Sequence, residues 1–366
     1  MRNKIFVRRQ IMKAWRLLDT PPMSGAENMA LDDTLLAVKG RGESPNTIHF
    51  LQFSPPVVLV GFHQSIEEEV DAVYCKNKGI DINRRPSGGG AIYLDESQIG
   101  WEIICDRDFF DVKVPNAGLY KRLCGPAISA FNELGVKADF RPRNDIEVKG
   151  RKISGTGGID SGDAFMFHGT ILVDFDVDRM MGSLKIPVEK LRAKEVDSVR
   201  ERVTCLKWEL GHTPATQEIK EAMVRGFEKT FDITLEPGGL ASFEKALFRE
   251  KVDFYRSSEW INHVRHQFEK KEVHQGIYKA KGGMVRFTLI INPAQKRIKD
   301  IYITGDFFVT PRRAMLDLEA KLKGLPADRR SLHATIRKFF EENRVSIVGM
   351  ECDEFLIPLD KALDKM

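Results

Sequence analysis

The sequence has little net charge: 57 basic side chains against 53 acidic ones leave +4 over 366 residues. That balance argues against a dedicated nucleic-acid binder, whose basic excess is normally much larger. Long hydrophobic runs are also missing, with no stretch near the roughly 20 apolar residues that cross a bilayer. The opening "MRNKIFVRRQIMKAW" is basic and free of acid, but it scatters its apolar residues and contains no serine, unlike a secretory or transit signal. The expectation is a cytoplasmic protein with no membrane and no nucleic-acid partner. Cysteine is scarce: Cys75, Cys105, Cys124, Cys205 and Cys352 are odd in number, far apart and without a CxxC pair. This argues against both a disulfide framework and a zinc site. Internal repeats and low-complexity segments are absent.

The composition, 42% hydrophobic and 30% charged, is that of a globular protein, and the length exceeds what one core usually serves. Met29, Leu31, Leu35 and Leu36 recur at helical spacing and predict a helix over 25–39. "TIHFLQF" and "PPVVLVGF" predict short strands, "SIEEEVDAVYCKNKG" one helix closed by Gly79, and "AIYLDESQIGWEIICD" a return to strand. "GLYKRLCGPAISAFNELG" is an amphipathic helix, and "DIEV" and "KISG" form a hairpin about Gly150. "FMFHGTILVDFDV" reads as a further strand of the same sheet. Residues 178–202 lose the pattern and read either as a functional loop or as a pair of short surface helices. "TQEIKEAMVRGFEKTF" is a helix, and helical pattern resumes after "EPGG". Near 265–275 the composition shifts. A hairpin about "NPAQK" and the helices "PRRAMLDLEAKLKGL" and "RSLHATIRKFFEEN" then form a small module. The expected fold is α+β, a mixed or antiparallel sheet layered with helices over 1–262, plus a small α+β accessory domain over 263–366.

Four stretches carry chemistry. In "NRRPSGGGAIYLDE", Gly88, Gly89 and Gly90 let main-chain N–H groups converge, and Arg84 and Arg85 bring fixed charge beside them. The stretch is a phosphate nest or a flexible turn, and it is neither a Walker loop nor a GxGxxG fingerprint. In "NDIEVKGRKISGTGG", Lys152 is either an exposed strand lysine or a point charge reaching an acyl carbonyl and an α-phosphate. Asp145 there is a solvated hairpin residue or a partner for Mg2+. His168 in "HGT" is a core histidine or a site residue, and Gly169 beside it offers close backbone approach. "PPVVLVGFHQ" is core, or one wall of a narrow apolar slot for a ligand with a hydrocarbon tail.

Taken in order, "NMALDDTLL", "VVLVGFHQ", "RRPSGGGAIYLD", "RPRNDIEVKGRKISGTGG", "FHGTILVDFDVDRM" and "VDSVRERVTCL" resemble the lipoate-protein ligase family, within the larger group of biotin and lipoate ligases and octanoyltransferases. The resemblance runs from about residue 14 to the C-terminus and includes the accessory domain of the two-domain bacterial ligases. It implies that Arg84, Arg85, Gly88, Gly89, Gly90 and Ala91 wrap a nucleotide and acyl-adenylate. It places the catalytic lysine at Lys152, and Asn144 and Asp145 near nucleotide and metal, Asp145 as the metal ligand. His168, Gly169 and Thr170 flank the acyl pocket, and residues 178–200 form a loop over the adenylate. The implied reaction uses ATP, Mg2+ and lipoate to make lipoyl-AMP, then passes the acyl group to a lysine of a lipoyl carrier domain, the enzyme acting as a monomer.

Two departures bear on this. "VGFHQ" is more like the octanoyltransferases, which leaves lipoate against octanoate open. Those transferases carry the acyl group on a cysteine thiolate, either just before the lysine block or beyond the histidine-glycine block. Here those places read "FRPRND" and "KIPVEKLRAKEV", without cysteine. The ligase is therefore expected over an octanoyl or lipoyl transferase working from a carrier protein. An intact Lys152 and glycine block speak against a non-catalytic lipoyl-domain binding protein.

Overall fold

In the computed structural model, which describes residues 13–110, 117–142, 144–185, 195–264 and 273–366, the spacing at Met29 to Leu36 becomes a helix over Gly25–Gly40. Its start is fixed by Ser24, whose hydroxyl accepts from the Glu27 amide while the Glu27 carboxylate accepts from the Ser24 amide. The strands that follow from this region are β1 (Lys13–Asp19), β2 (Thr47–Leu51), β3 (Val57–Val60), β4 (Asp81–Arg84), β5 (Ile92–Leu94), β6 (Gln98–Asp106), β7 (Asp139–Arg141), β8 (Asp145–Val148), β9 (Arg151–Ser161), β10 (Ala164–Leu172) and β11 (Ile233–Pro237).

Eight of these form one mixed sheet in the order β11-β1-β2-β6-β10-β9-β8-β7. β1 runs parallel to both β2 and β11, whereas β2, β6, β10, β9, β8 and β7 pair antiparallel in turn. Alternation along the strands feeds two layers of core. Ile103 and Phe167 pack with Leu123, Phe131 and Phe227 of the helices Ala117–Glu133 and Thr216–Phe231. Their neighbours Ile104 and Met166 pack on the opposite face against Leu31 and Leu35. A smaller sheet, β4-β3-β5, lies beside the large one. The α+β fold of a mixed sheet packed with helices is as expected.

Beyond residue 272, β12 (Val273–Ala280), β13 (Gly283–Asn292) and β14 (Arg297–Gly305) make an antiparallel sheet, and β15 (Val309–Thr310) pairs with β16 (Ser346–Ile347). Phe287, Leu289 and Ile303 of this sheet bury against Leu318, Ile336 and Phe355 of the helices Ala314–Leu322, Arg329–Glu342 and Cys352–Leu363. Among the described residues no helix is long and apolar enough to cross a membrane.

Three sequence readings are corrected. The single helix of 65–79 is two, Ile66–Glu69 and Ala72–Lys78. Val70 between them is extended, bridges Leu184, and is followed by Asp71, whose carboxylate caps the second helix at the Tyr74 amide. The strand of 91–106 is split into β5 and β6 by a turn at Asp95, whose carboxylate accepts from Ser97. The accessory region also has a third strand, β12, and a last helix carrying Pro358, which the pattern did not reveal.

Candidate active site

The β8–β9 hairpin sets out the chemistry. Lys149 and Gly150 both take positive φ (50° and 79°) and close a tight turn that pairs Val148 with Arg151 and Glu147 with Lys152; a bulge between Ile146 and Glu147 then shifts the register by one, so Asp145 stands opposite Gly155. The Lys152 side chain lies back over Gly155: a Cβ there would stand 2.7 Å from Nζ. The ammonium thereby meets Asp145 at 2.8 Å, and the other Asp145 oxygen accepts from Arg141 at 2.5 Å. Burial opposes the charge on Asp145, but Lys152 and Arg141 outweigh it and hold the carboxyl below its ordinary range. Asn144 is fixed by donating to Thr156 O at 2.7 Å, with Thr156 N and Oγ1 donating back to Asn144 O. Lys152 O in turn accepts from Thr204 N, which ties the chain after the helix Glu195–Arg202 to the lysine.

Lys152 and Asn144 face a cavity of about 390 Å³. Its opposite wall is the glycine stretch, where Arg85, Gly89, Gly90 and Ala91 line the same chamber, as do His168 and Thr170 of β10. Arg85 shapes this wall from within: Nε and Nη2 donate to Gly88 O, Nη2 also to Gly90 O at 2.7 Å, and Nη1 to Leu59 O. Burial lowers this guanidinium to about 10, and among the described residues no carboxylate pairs with it. A cation held only by carbonyl dipoles gives the chamber a standing preference for an anion. His168 bonds Ser87 Oγ at 2.9 Å, and burial, then the charge of Arg85, push its imidazole down to about 3, so it is neutral.

Other residues singled out in the sequence lie outside the chamber wall. Arg84 is fully buried and donates to the carbonyls of Gly61, Phe62, Gln64 and Ile261, which clamps the 61–64 turn to the helix Ser258–Ile261. Asp145 stands behind Lys152. With both its oxygens engaged by cations it does not fit a Mg2+ ligand as arranged. Gly88 packs on Phe307 O, where a Cβ would come to 2.3 Å. Gly169 lies flat on the Trp101 indole, with 2.4 Å left for a Cβ. Of the loop expected over 178–200, residues 186–194 lie outside the described residues, while Met180 and Leu184 at its start line the chamber.

A narrow apolar slot leaves the chamber past Ile92, Leu94, His168 and Thr170 and runs between Leu51, Phe53, Leu59 and Met166. Leu59 belongs to the apolar strand singled out in the sequence. At the slot's side stand Asp32, Trp101 and Glu102. Sequence reasoning missed these three; an acid at Asp32 within the buried face of "NMALDDTLL" was the available signal.

It also missed that the accessory region completes the site. Asp306 and Phe308 line the chamber together with Lys281, Gly282 and Gly283. The Phe308 ring covers the bare positions of Gly89 and Gly157, and Gly89 N donates to Phe307 O at 3.2 Å. His63 stacks on Phe307 with centroids 5.1 Å apart, and Arg286 forms an ion pair with Glu68. None of the five cysteines lines the chamber or the slot. Cys75, Cys105, Cys124 and Cys205 are buried, and burial pushes their thiols up to about 11 or 12.

The sequence profile described as "Lipoyl protein ligase A/B catalytic domain" matches residues 24–228. Octanoyltransferase LipM of Geobacillus kaustophilus is 28% identical over 272 residues, which is 68% of this chain and 98% of its own length. Among solved structures, a bi-partite lipoate protein ligase from Thermoplasma acidophilum, described with its E2 lipoyl domain, matches with a TM-score of 0.62 and 27% identity, covering 70% of this chain and 99% of that one. Lipoate-protein ligase A bound with ATP gives 0.59 and 25%, covering 68% and 98%.

Proposed function

Because the chain belongs to the lipoyl protein ligase A/B catalytic family, we propose that it is an ATP-dependent lipoate-protein ligase. A lipoate carboxylate oxygen attacks the α-phosphorus of ATP and releases pyrophosphate. The ε-amine of a carrier-domain lysine then attacks the carbonyl of the mixed anhydride; the amine gives up a proton and AMP leaves.

The observation that carries this reading is a chamber with a lysine ammonium and an uncompensated guanidinium but no thiol. An acyl group passed through a thioester needs a reactive cysteine at the site. Activation as an adenylate needs charge neutralisation and positioning instead. Lys152 exchanges Asp145 for the phosphate and acyl oxygens as substrate enters, with Asp145 acting as its positioning partner. Arg85, through the Gly88 and Gly90 carbonyls it holds, fixes the course of the backbone at Gly89 and Gly90, which line the chamber. Neutral His168 and Thr170 sit where the chamber narrows into the slot, which takes the acyl tail. The solved relative bound with ATP supports the nucleotide, and the one described with an E2 lipoyl domain supports a lipoyl carrier domain as acceptor.

A second reading, octanoyl transfer from a carrier protein, is favoured by the LipM relatives. One assay separates the two: a lipoyl domain is incubated with free lipoate and Mg-ATP, or with octanoyl-carrier protein and no nucleotide. Acylation confined to the second mixture overturns the ligase.

A further inference from the structure

Lys152 sits where the large sheet gives it least support. β10 pairs with β9 only from Thr156 onward, opposite Gly169, so residues 151–155 have no β10 partner. On the other side the ladder to β8 shifts register next to Lys152, between the pairs Ile146–Ser154 and Glu147–Lys152, and a bulge bends a strand and re-aims its side chains. What borders the open edge is the chain after the helix Glu195–Arg202: Val203 bridges Lys152, and Thr204 N donates to Lys152 O at 2.9 Å. One carboxylate holds this segment. Glu209, on the short helix Leu206–Leu210, has a side chain only 7% exposed. Its Oε1 accepts from Thr204 Oγ1 at 2.6 Å and from Arg151 Nη2 at 2.5 Å. A single oxygen thus joins the residue before Lys152 to the residue whose amide bonds it. The short helix is tied in turn to the chain after β10, where Lys207 N donates to Val173 O at 3.0 Å.

Neither Glu209 nor Thr204 lines the chamber or the slot, and they reach the chamber through their neighbours Lys152 and Val203. We propose that Glu209 and Thr204 are positioning residues for the Lys152 ammonium: the carboxylate fixes Thr204, and Thr204 fixes the strand edge from which the lysine reaches its substrate. This rests on Lys152 having the role given to it in the proposed function. An exposed ion pair would contribute little to such a task. Here the acceptor is buried and ionised, it takes two donors at once, and hydrogen bonds to a charged group are the stronger kind. Thr204 is fully buried, so its hydroxyl cannot exchange Glu209 for water. The network leaves the lysine's charge alone and sets its place, and a misplacement near 1 Å costs on the order of 10²-fold in rate. Because the β8 pairing of Lys152 survives loss of the clamp, the cost here is smaller than that.

The test is a double-mutant cycle on the full chain, with kcat and KM measured in wild type, Glu209→Ala, Thr204→Val, Lys152→Ala and the two doubles that combine Lys152→Ala with the others, and Tm read alongside. Expected is a fall in kcat of about tenfold for Glu209→Ala and for Thr204→Val, with KM for lipoate and for ATP within about twofold. Once Lys152 is replaced, either change should cost less than about twofold more. Glu209→Gln and Thr204→Ser, which keep the acceptor and the hydroxyl, should stay within about threefold of wild type. If Glu209→Ala does not fold, Thr204→Val carries the cycle alone. A kcat unchanged in Thr204→Val, a loss as large in the Lys152→Ala background as in wild type, or a wild-type rate in Lys152→Ala overturns the proposal. The cycle is run with lipoate and Mg-ATP and, separately, with octanoyl-carrier protein and no nucleotide. Activity confined to the second mixture sinks the ligase reading, and the cycle read on that reaction still decides this one. ATP-dependent lipoylation with losses that multiply does the reverse.

Discussion

Gly155→Ala separates the position of the Lys152 ammonium from its charge. A Cβ at 155 would lie 2.7 Å from Nζ and 2.8 Å from Cε, against 3.4 Å for ordinary contact, so the ammonium has to move by about 0.7 Å. The backbone does not resist: Gly155 lies in regular strand opposite Asp145, and the obstructing atoms are the tip of a flexible side chain. Exchanging glycine for alanine inside a strand is itself favourable by about 0.5–1 kcal/mol. Stability should therefore hold while geometry suffers, and a misplacement near 1 Å costs on the order of 10²-fold in rate. The assay is the initial rate of ATP-dependent lipoylation of a lipoyl domain by intact mass, with calorimetric Tm alongside. Expected is a fall of roughly 10–100-fold at unchanged or higher Tm. Lys152→Ala sets the floor, on the order of 10²–10³ below wild type. A wild-type rate in Gly155→Ala would refute the reasoning, because it would mean that the ammonium's seat over Gly155 has no part in the chemistry.

Arg84→Met removes five hydrogen bonds to the carbonyls of Gly61, Phe62, Gln64 and Ile261 and leaves those acceptors buried. It should cost about 3 kcal/mol or more, read as a drop in the urea midpoint, and an unchanged midpoint would remove the structural role given to it here. Glu102 supplies a pH test: burial raises it from the ordinary 4.5 to about 8, so the folded chain keeps a proton that the unfolded chain releases above about 4.5. That contribution is complete below pH 4.5 and is lost as pH rises toward 8, at up to about 1.4 kcal/mol per pH unit. Wild type should thus lose stability relative to Glu102→Gln across this window, and parallel stability curves would contradict it.

Local signals were legible in the sequence, and non-local ones were not. The helix Thr216–Phe231 and the hairpin about Gly150 follow from spacing and turn chemistry within a few residues. The break at Val70 does not, because its cause is a bridge to Leu184, far along the chain. Within the site, "SGGG" beside two arginines raised the right question, but the two look alike in sequence. Both are held by carbonyls, but Arg85 lines the chamber while Arg84 lies outside it, bonded to Ile261 O of another element. Asp306 and Phe308 carry no local mark at all. They join the site because β14 ends on Gly305, whose N–H reaches His63 O. Asp32 was hidden for the opposite reason, since an acid on a mostly apolar helix face reads as a solvated turn until its burial is seen.

The pairing of Lys13 with Ile233 also bears on synthesis. β1 sits between β2 and β11, so one of its edges stays open until residue 237 has left the ribosome. The strands that carry Lys152 and His168 lie toward the far end of the sheet and are translated well before that. The nascent chain can therefore assemble these hairpins on local contacts, with the long-range seam left for last.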